Sequence, residues 1–207
     1  VPDATGPYDE LNFIWKQFKR NGYKTALIED DPHFTLFNYN AKGFTRKPTD
    51  WYPRPYWIHI YNEDKLKRSG YCYNKEPRIE ILLNQAKQFI SKMGDNPYFL
   101  FNFLIEVTHN DFNYAQLVDS HYANFIKVLK RKLKKSVFIL MGDHGMRFGK
   151  ILETFSGRVE ERMPLFAIHL PSSLTRKYPH LKKYLRLNEA RLISWFDVHQ
   201  VMVDIAN

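Results

Sequence analysis

The run YFLFNFLIEV, residues 98–107, constrains the fold more than any other stretch. Only Asn102 and Glu106 interrupt its apolar character. Strict alternation would mark a strand with one wet face, whereas a nearly unbroken apolar run marks a strand covered on both faces. SVFILMG (136–142) reads the same way, and KTALIED (24–30) and MPLFAIHLP (163–171) complete a set of four strands. Between and after them lie stretches with helical spacing. YDELNFIWKQFKRNGY stops near Gly22, EPRIEILLNQAKQFISKMG is closed by Gly94, and AQLVDSHYANFIKVLKRKLKK is long and amphipathic. SSLTRKYPHLKKYL, interrupted by Pro179, and EARLISWFDVHQVMVDIA follow the last strand. Buried strands separated by helices imply an α/β fold, a three-layer sandwich with a mostly parallel central sheet.

The 207 residues suffice for one domain with a real core. Residues 32–70 are aromatic and rich in turn formers, with prolines at 48, 53 and 55. They read as a surface excursion packed on its own rings, without a long regular element. No stretch approaches the roughly 20 apolar residues of a membrane span. The abrupt start at VPDATGPYDE, without a signal-peptide pattern, and the end inside the helical pattern VHQVMVDIAN set a further expectation. Residues 1–207 should be a single domain, incomplete at the N-terminus and truncated at the C-terminus. Cys72 is the lone cysteine. It is either a small buried residue or, in a secreted protein, one whose partner lies elsewhere.

The net charge is +9, and much of the excess sits in residues 127–135, KVLKRKLKK. Lys127, Lys130, Arg131 and Lys134 fall on one helical face and Phe125, Leu129 and Leu133 on another. This is either the solvated side of an amphipathic helix or a patch for a polyanion, such as a glycan or an acidic membrane surface. Nucleic acid is the weakest partner, because no reader motif is present.

In parallel sheets, ligands bind beyond the carboxyl ends of the strands. VFILMGDHGMRFG therefore delivers Asp143 and His144 to that edge, with Gly142 and Gly145 easing the turn. A carboxylate beside an imidazole suits a divalent metal, zinc or manganese, while a mostly oxygen shell would suit calcium. The competing reading is a helix-capping Asp next to a surface His. IEVTHND ends the preceding buried strand with Glu106, Thr108, His109 and Asp111. If the two strands are neighbours, His109 shares a cleft with Asp143 and His144; otherwise the segment is a polar turn capped by Asp111 or Asn113. RVEERMPLF groups Arg158, Glu160, Glu161 and Arg162 before a strand, with Arg147 upstream. Arginine grips phosphate and sulfate through paired hydrogen bonds, but surface ion pairing is the plainer role for each residue. The other histidines, His121 among them, have no acidic partner at metal spacing. FDVHQVMVDI reads as a packing helix with Phe196 and Val203 inward. There is no Gly-rich phosphate loop, no Gly-x-Ser-x-Gly elbow and no Cys-x-x-Cys pair.

Taken in order, these segments resemble the alkaline phosphatase superfamily, whose sulfatases and phosphodiesterases carry a strand followed by Asp-His-Gly. NGYKTALIEDD resembles the sulfatase GY-x-T step, and VEERMPLFAIHLP the E-x-x-x-x-P segment before the next strand. FTRKPTDWYPRPYW and DHGMRFG are similar to an uncharacterised, sulfatase-like family of secreted or membrane-anchored proteins. The resemblance implies an alkaline-phosphatase-like fold and a metallohydrolase acting on anionic phosphate or sulfate esters. It implies metal ligation by Asp143 and His144 and places His109 near substrate or metal, and Arg147 and Glu160 match the uncharacterised family's pattern; with the arginine reading above, Arg147 and Arg162 are the substrate-binding candidates beside His109. It also implies a first strand ending in Asp and a hydroxyl or modified-Cys nucleophile upstream of Val1, so that no catalytic nucleophile lies in residues 1–207. The sulfatase GKWH segment is replaced here by EDDPH. By the same resemblance the setting is extracellular or the secretory lumen. The alternative is a non-catalytic secreted interaction domain that retains the fold.

Overall fold

A computed structural model describes residues 5–67 and 71–207. Along the chain the elements run α1 (Ile14–Arg20), β1 (Lys24–Glu29), α2 (Arg54–Lys67), β2 (Cys72–Tyr73), β3 (Glu76–Pro77), α3 (Arg78–Met93), β4 (Tyr98–Phe103), α4 (Ala115–Leu133), β5 (Phe138–Met141), α5 (Phe155–Arg162), β6 (Phe166–His169), α6 (Ser172–Lys177), α7 (His180–Asn188) and α8 (Trp195–Ala206). Short 3-10 turns occupy Phe112–Tyr114 and Lys150–Glu153.

β1 and β4 pair in parallel, Lys24 opposite Tyr98 through Glu29 opposite Phe103. Side chains on a strand alternate between faces. Ala26 and Ile28 point into a core built by α2, α3 and α4, around Trp57, Leu82, Phe89, Phe125 and Leu129. Leu27, equally buried, lies outside that cluster. On the other face Phe18 of α1 stacks on Phe99, ring centroids 4.4 Å apart. The sheet is thus sandwiched between helices, in the α/β class implied by the sequence. α3 sets Ile79, Leu82, Leu83, Ala86, Phe89 and Ile90 on its buried face, the 3.6-residue period that makes an amphipathic helix. Gly94 ends it with φ +59°, which suits glycine best. α4 buries Phe125 and Leu129 and exposes Lys127, Lys130 and Arg131, with Lys134 exposed at its C-cap.

Two features differ from the sequence reading. Residues 32–70 do contain a long element, the 14-residue α2. Pro55 sits in its first turn, where a missing N–H breaks no hydrogen bond. Trp57 and Ile60 of α2 are fully buried, so this stretch supplies core rather than a self-packed excursion; its residues 68–70 lie outside the described set. The second difference is direction. β6 runs antiparallel to β5, Phe138 opposite His169 through Met141 opposite Phe166. Apolar runs report burial and carry no direction. Among the described residues, β5 does not hydrogen-bond to β4. No described helix is long and apolar enough to cross a membrane.

Candidate functional site

The carboxyl end of β1 carries three consecutive acids, Glu29, Asp30 and Asp31, all buried. Asp30 accepts the amides of Ile105 (2.9 Å) and Glu106 (3.2 Å), tying the end of β1 to the loop after β4. Removal from water outweighs those bonds and pushes the Asp30 carboxyl up to about 7. Burial raises Glu29 to about 7 as well. Asp31 takes the amides of His33 (2.7 Å) and Phe34 (2.9 Å) on one oxygen and the Tyr61 hydroxyl (2.6 Å) on the other. Burial, and then the Asp31 hydrogen bond, raise the Tyr61 phenol well above its ordinary value. Arg78 forms a buried ion pair with Glu106, and its guanidinium lies 5.5 Å from the Tyr61 ring centroid. A cleft of about 350 Å³ opens among Asp31, Tyr61, Tyr71, Glu106 and His109.

β5 delivers the second part. Asp143 accepts the His144 amide on one oxygen, at 2.9 Å. His144 Nδ1 lies 2.7 Å from the Gly145 carbonyl oxygen. A carbonyl only accepts, so this bond assigns the proton to Nδ1. Nε2 then faces the other Asp143 oxygen at 3.4 Å. Both groups are partly exposed, so water, a proton or a cation can lie between these two lone pairs. Two donors bound to one tetrahedral ion at about 2.0–2.1 Å each stand about 3.3 Å apart, so the bite fits a zinc-sized ion. The Nδ1–H to carbonyl bond is the outer-shell contact that orients a ligating imidazole. Among the described residues no third His, Cys, Asp or Glu joins this pair at metal-holding distance.

The loop is held from two sides. Gly145 N–H donates to Glu161 at 3.0 Å, and a Cβ at Gly145 would stand 2.2 Å from the Glu160 carbonyl oxygen. Only glycine permits that approach of α5. Trp195 Nε1 donates to the Asp143 carbonyl at 2.6 Å, and its ring lies 5.8 Å from that of Phe166. Phe196, expected inward, is 88% exposed; Trp195 next to it makes the contact instead. The two parts meet at His109. Its ring lies 4.6 Å from Phe34 in the loop after β1 and 5.7 Å from Phe148 in the loop after β5. Its Nδ1 is 3.0 Å from Asn110 Oδ1.

A family described as a protein of unknown function, DUF229, matches residues 2–207. The chain belongs to the DUF229 family. No curated protein matches it.

In this DUF229 chain Arg147 and Arg162, the candidate arginines, are both exposed. Arg162 ends α5, donating to the Arg158 carbonyl at 3.1 Å and lying 3.5 Å from Glu161. Asp111 caps the Phe112–Tyr114 turn by accepting the Asn113 amide at 2.9 Å. His121 does have an acidic partner, Glu80 of α3, brought near by helix packing rather than by spacing. Sequence reading passed over Asp30, Asp31 and Trp195. The three acids closing a buried strand, and the Ser194–Asp197 capping box that starts α8 at Trp195, are the signals that mark them.

Proposed function

We propose that this chain is the central and later part of an alkaline-phosphatase- or sulfatase-like metallohydrolase of phosphate or sulfate esters, with Asp143 and His144 as metal ligands. The observation carrying this reading is the Asp143–His144 pair, with its proton placed on Nδ1 and its Nε2–carboxylate bite of 3.4 Å. A divalent ion there, zinc or manganese before calcium, would neutralise an ester oxygen and lower the pKa of an attacking hydroxyl. His109, whose ring meets Phe34 and Phe148 from the loops after β1 and β5, would hold an anionic oxygen in this reading. Arg147 and Arg162 are the candidate substrate-binding arginines. The nucleophile is assigned to residues outside 1–207, and the setting to the secretory route, both from the family resemblance.

The test is zinc and manganese uptake by the full-length polypeptide, followed by calorimetry and elemental analysis, with aryl phosphate and aryl sulfate as substrates. Stoichiometric uptake lost in Asp143→Ala and His144→Ala supports the reading. Wild-type uptake in both variants removes it, and ester hydrolysis by residues 1–207 alone removes the external nucleophile. A second reading rests on the exposed cations Lys127, Lys130 and Arg131 of α4 and Lys134 at its C-cap: a non-catalytic domain that binds a sulfated glycan or an acidic surface. It expects polyanion binding without metal.

A further inference from the structure

The cleft beside His109 combines a charge and a lining that suit one class of ligand. Four segments meet there. Asp31 stands just past β1, Tyr61 comes from α2, Tyr71 precedes β2, and Glu106 lies in the loop after β4. The Tyr71 carbonyl accepts the Arg78 amide at 2.9 Å, and the Tyr71 ring meets Tyr114 edge-on, centroids 6.0 Å apart. Phe34 and His109 add a pair of rings 4.6 Å apart.

The two acids of this lining are unequal. Glu106 is matched by the Arg78 guanidinium in a buried ion pair. Asp31, 7% exposed, is surrounded by neutral donors, namely two amides and the Tyr61 hydroxyl. Among the described residues no Lys or Arg pairs with Asp31, and none lines the cleft. Neutral donors orient a carboxylate but leave its charge in place, and a charge withdrawn from water favours an opposite charge nearby. The cleft therefore holds surplus negative charge among aromatic rings. Tyr61 already takes the Arg78 guanidinium over its ring at 5.5 Å, so these rings are placed to attract cations.

We propose that the cleft binds a methylated, quaternary ammonium group, its charge toward Asp31 and its methyls against Tyr61, Tyr71 and Phe34. The space of about 350 Å³ suits a small headgroup rather than a polymer. Other ligands fit worse. An anion would meet two carboxylates and no lining Lys or Arg. A metal ion takes its ligands from oxygens, and those of Asp31 are already held by three donors. A primary ammonium needs acceptors for three N–H groups, which the same donors leave scarce. A methylated ammonium donates no hydrogen bond, and ring faces attract its spread charge. This inference depends on neither metal binding nor hydrolysis. Should the ester-hydrolase reading also hold, the substrate would be an ester of an ammonium-bearing alcohol.

Titration calorimetry of the full-length polypeptide with choline chloride tests it, in a chelator and in excess potassium chloride. One saturable site is expected. Dimethylbutanol, in which a carbon replaces the choline nitrogen, should bind at least about tenfold more weakly. Asp31→Asn keeps an oxygen for the two amides and should weaken choline binding about tenfold or more. Tyr71→Ala, at the exposed rim, should weaken it about two- to fivefold. Circular dichroism checks that each variant is folded, and Tyr71→Ala decides alone if Asp31→Asn is not. No saturable choline binding, equal binding of dimethylbutanol, or wild-type affinity in Tyr71→Ala overturns the ammonium site. Because the chelator removes free metal, failure of the metal reading leaves this result unchanged.

Discussion

Asp30 offers the sharpest test of how the two strand ends are held. It is 1% exposed, and two amides donate to it, yet burial lifts its carboxyl from 3.8 to about 7. A folded-state value above the unfolded one means that the folded protein holds more protons between these limits. Stability is then greatest below about pH 4 for this group and falls as pH rises, levelling off above about pH 7. Linkage through a shift of that size removes about 2–3 kcal/mol between pH 5 and pH 8. Asp30→Asn keeps the shape, accepts one amide, and cannot titrate. At pH 5 the wild type is protonated and likewise limited to one good acceptor, so the two proteins should lie within about 1 kcal/mol of each other there. Urea unfolding of both proteins, read by tryptophan fluorescence across pH 5 to 8, should show the variant gaining about 2–3 kcal/mol on the wild type as pH rises. A gap independent of pH, or one that widens against the variant, would refute the reasoning. It would mean that the Ile105 and Glu106 amides hold Asp30 ionised despite its burial.

Three further outcomes are expected. Gly145→Ala places a methyl against the Glu160 carbonyl and should destabilise by more than about 2 kcal/mol in denaturant melts; an unchanged melt would contradict the close approach. Arg78→Met strands a buried Glu106 carboxylate and should cost about 3–5 kcal/mol, much of it recovered in Arg78→Met/Glu106→Leu. If α4 binds polyanions, Lys130→Glu with Arg131→Glu should shift elution from a heparin column to clearly lower salt, without a change in the melting curve.

Much of this molecule was legible in the order of its residues. The strands KTALIED, YFLFNF and FILM were marked by unbroken apolar runs, and α3 and α4 by their period and by Gly94. The position of Asp143 and His144 just past the end of β5 was legible from the strand that precedes them. Strand direction was not legible, because the return of β6 against β5 is set by the compact turn-and-helix excursion between them. α2 was hidden by Pro53 and Pro55, which argue against a helix interior but are tolerated at a helix start. The pairings of Glu80 with His121 and of Asp30 with the Ile105 amide join residues 41 and 75 positions apart. Contacts of that separation leave no local trace. Phe196 and Trp195 were exchanged because a one-residue error in phase turns a helical side chain by about 100°, enough to reverse inside and outside.

The indole of Trp195 bonded to the carbonyl of Asp143 gives the chain a built-in optical gauge. Three of the four tryptophans sit around β1, Trp15 and Trp57 buried and Trp51 on its edge, while the fourth touches the loop that carries Asp143 and His144. A cation or ester that shifts this loop should change the emission of Trp195 alone. Replacing Trp195 with Phe would blank that channel and leave the other three as an internal reference.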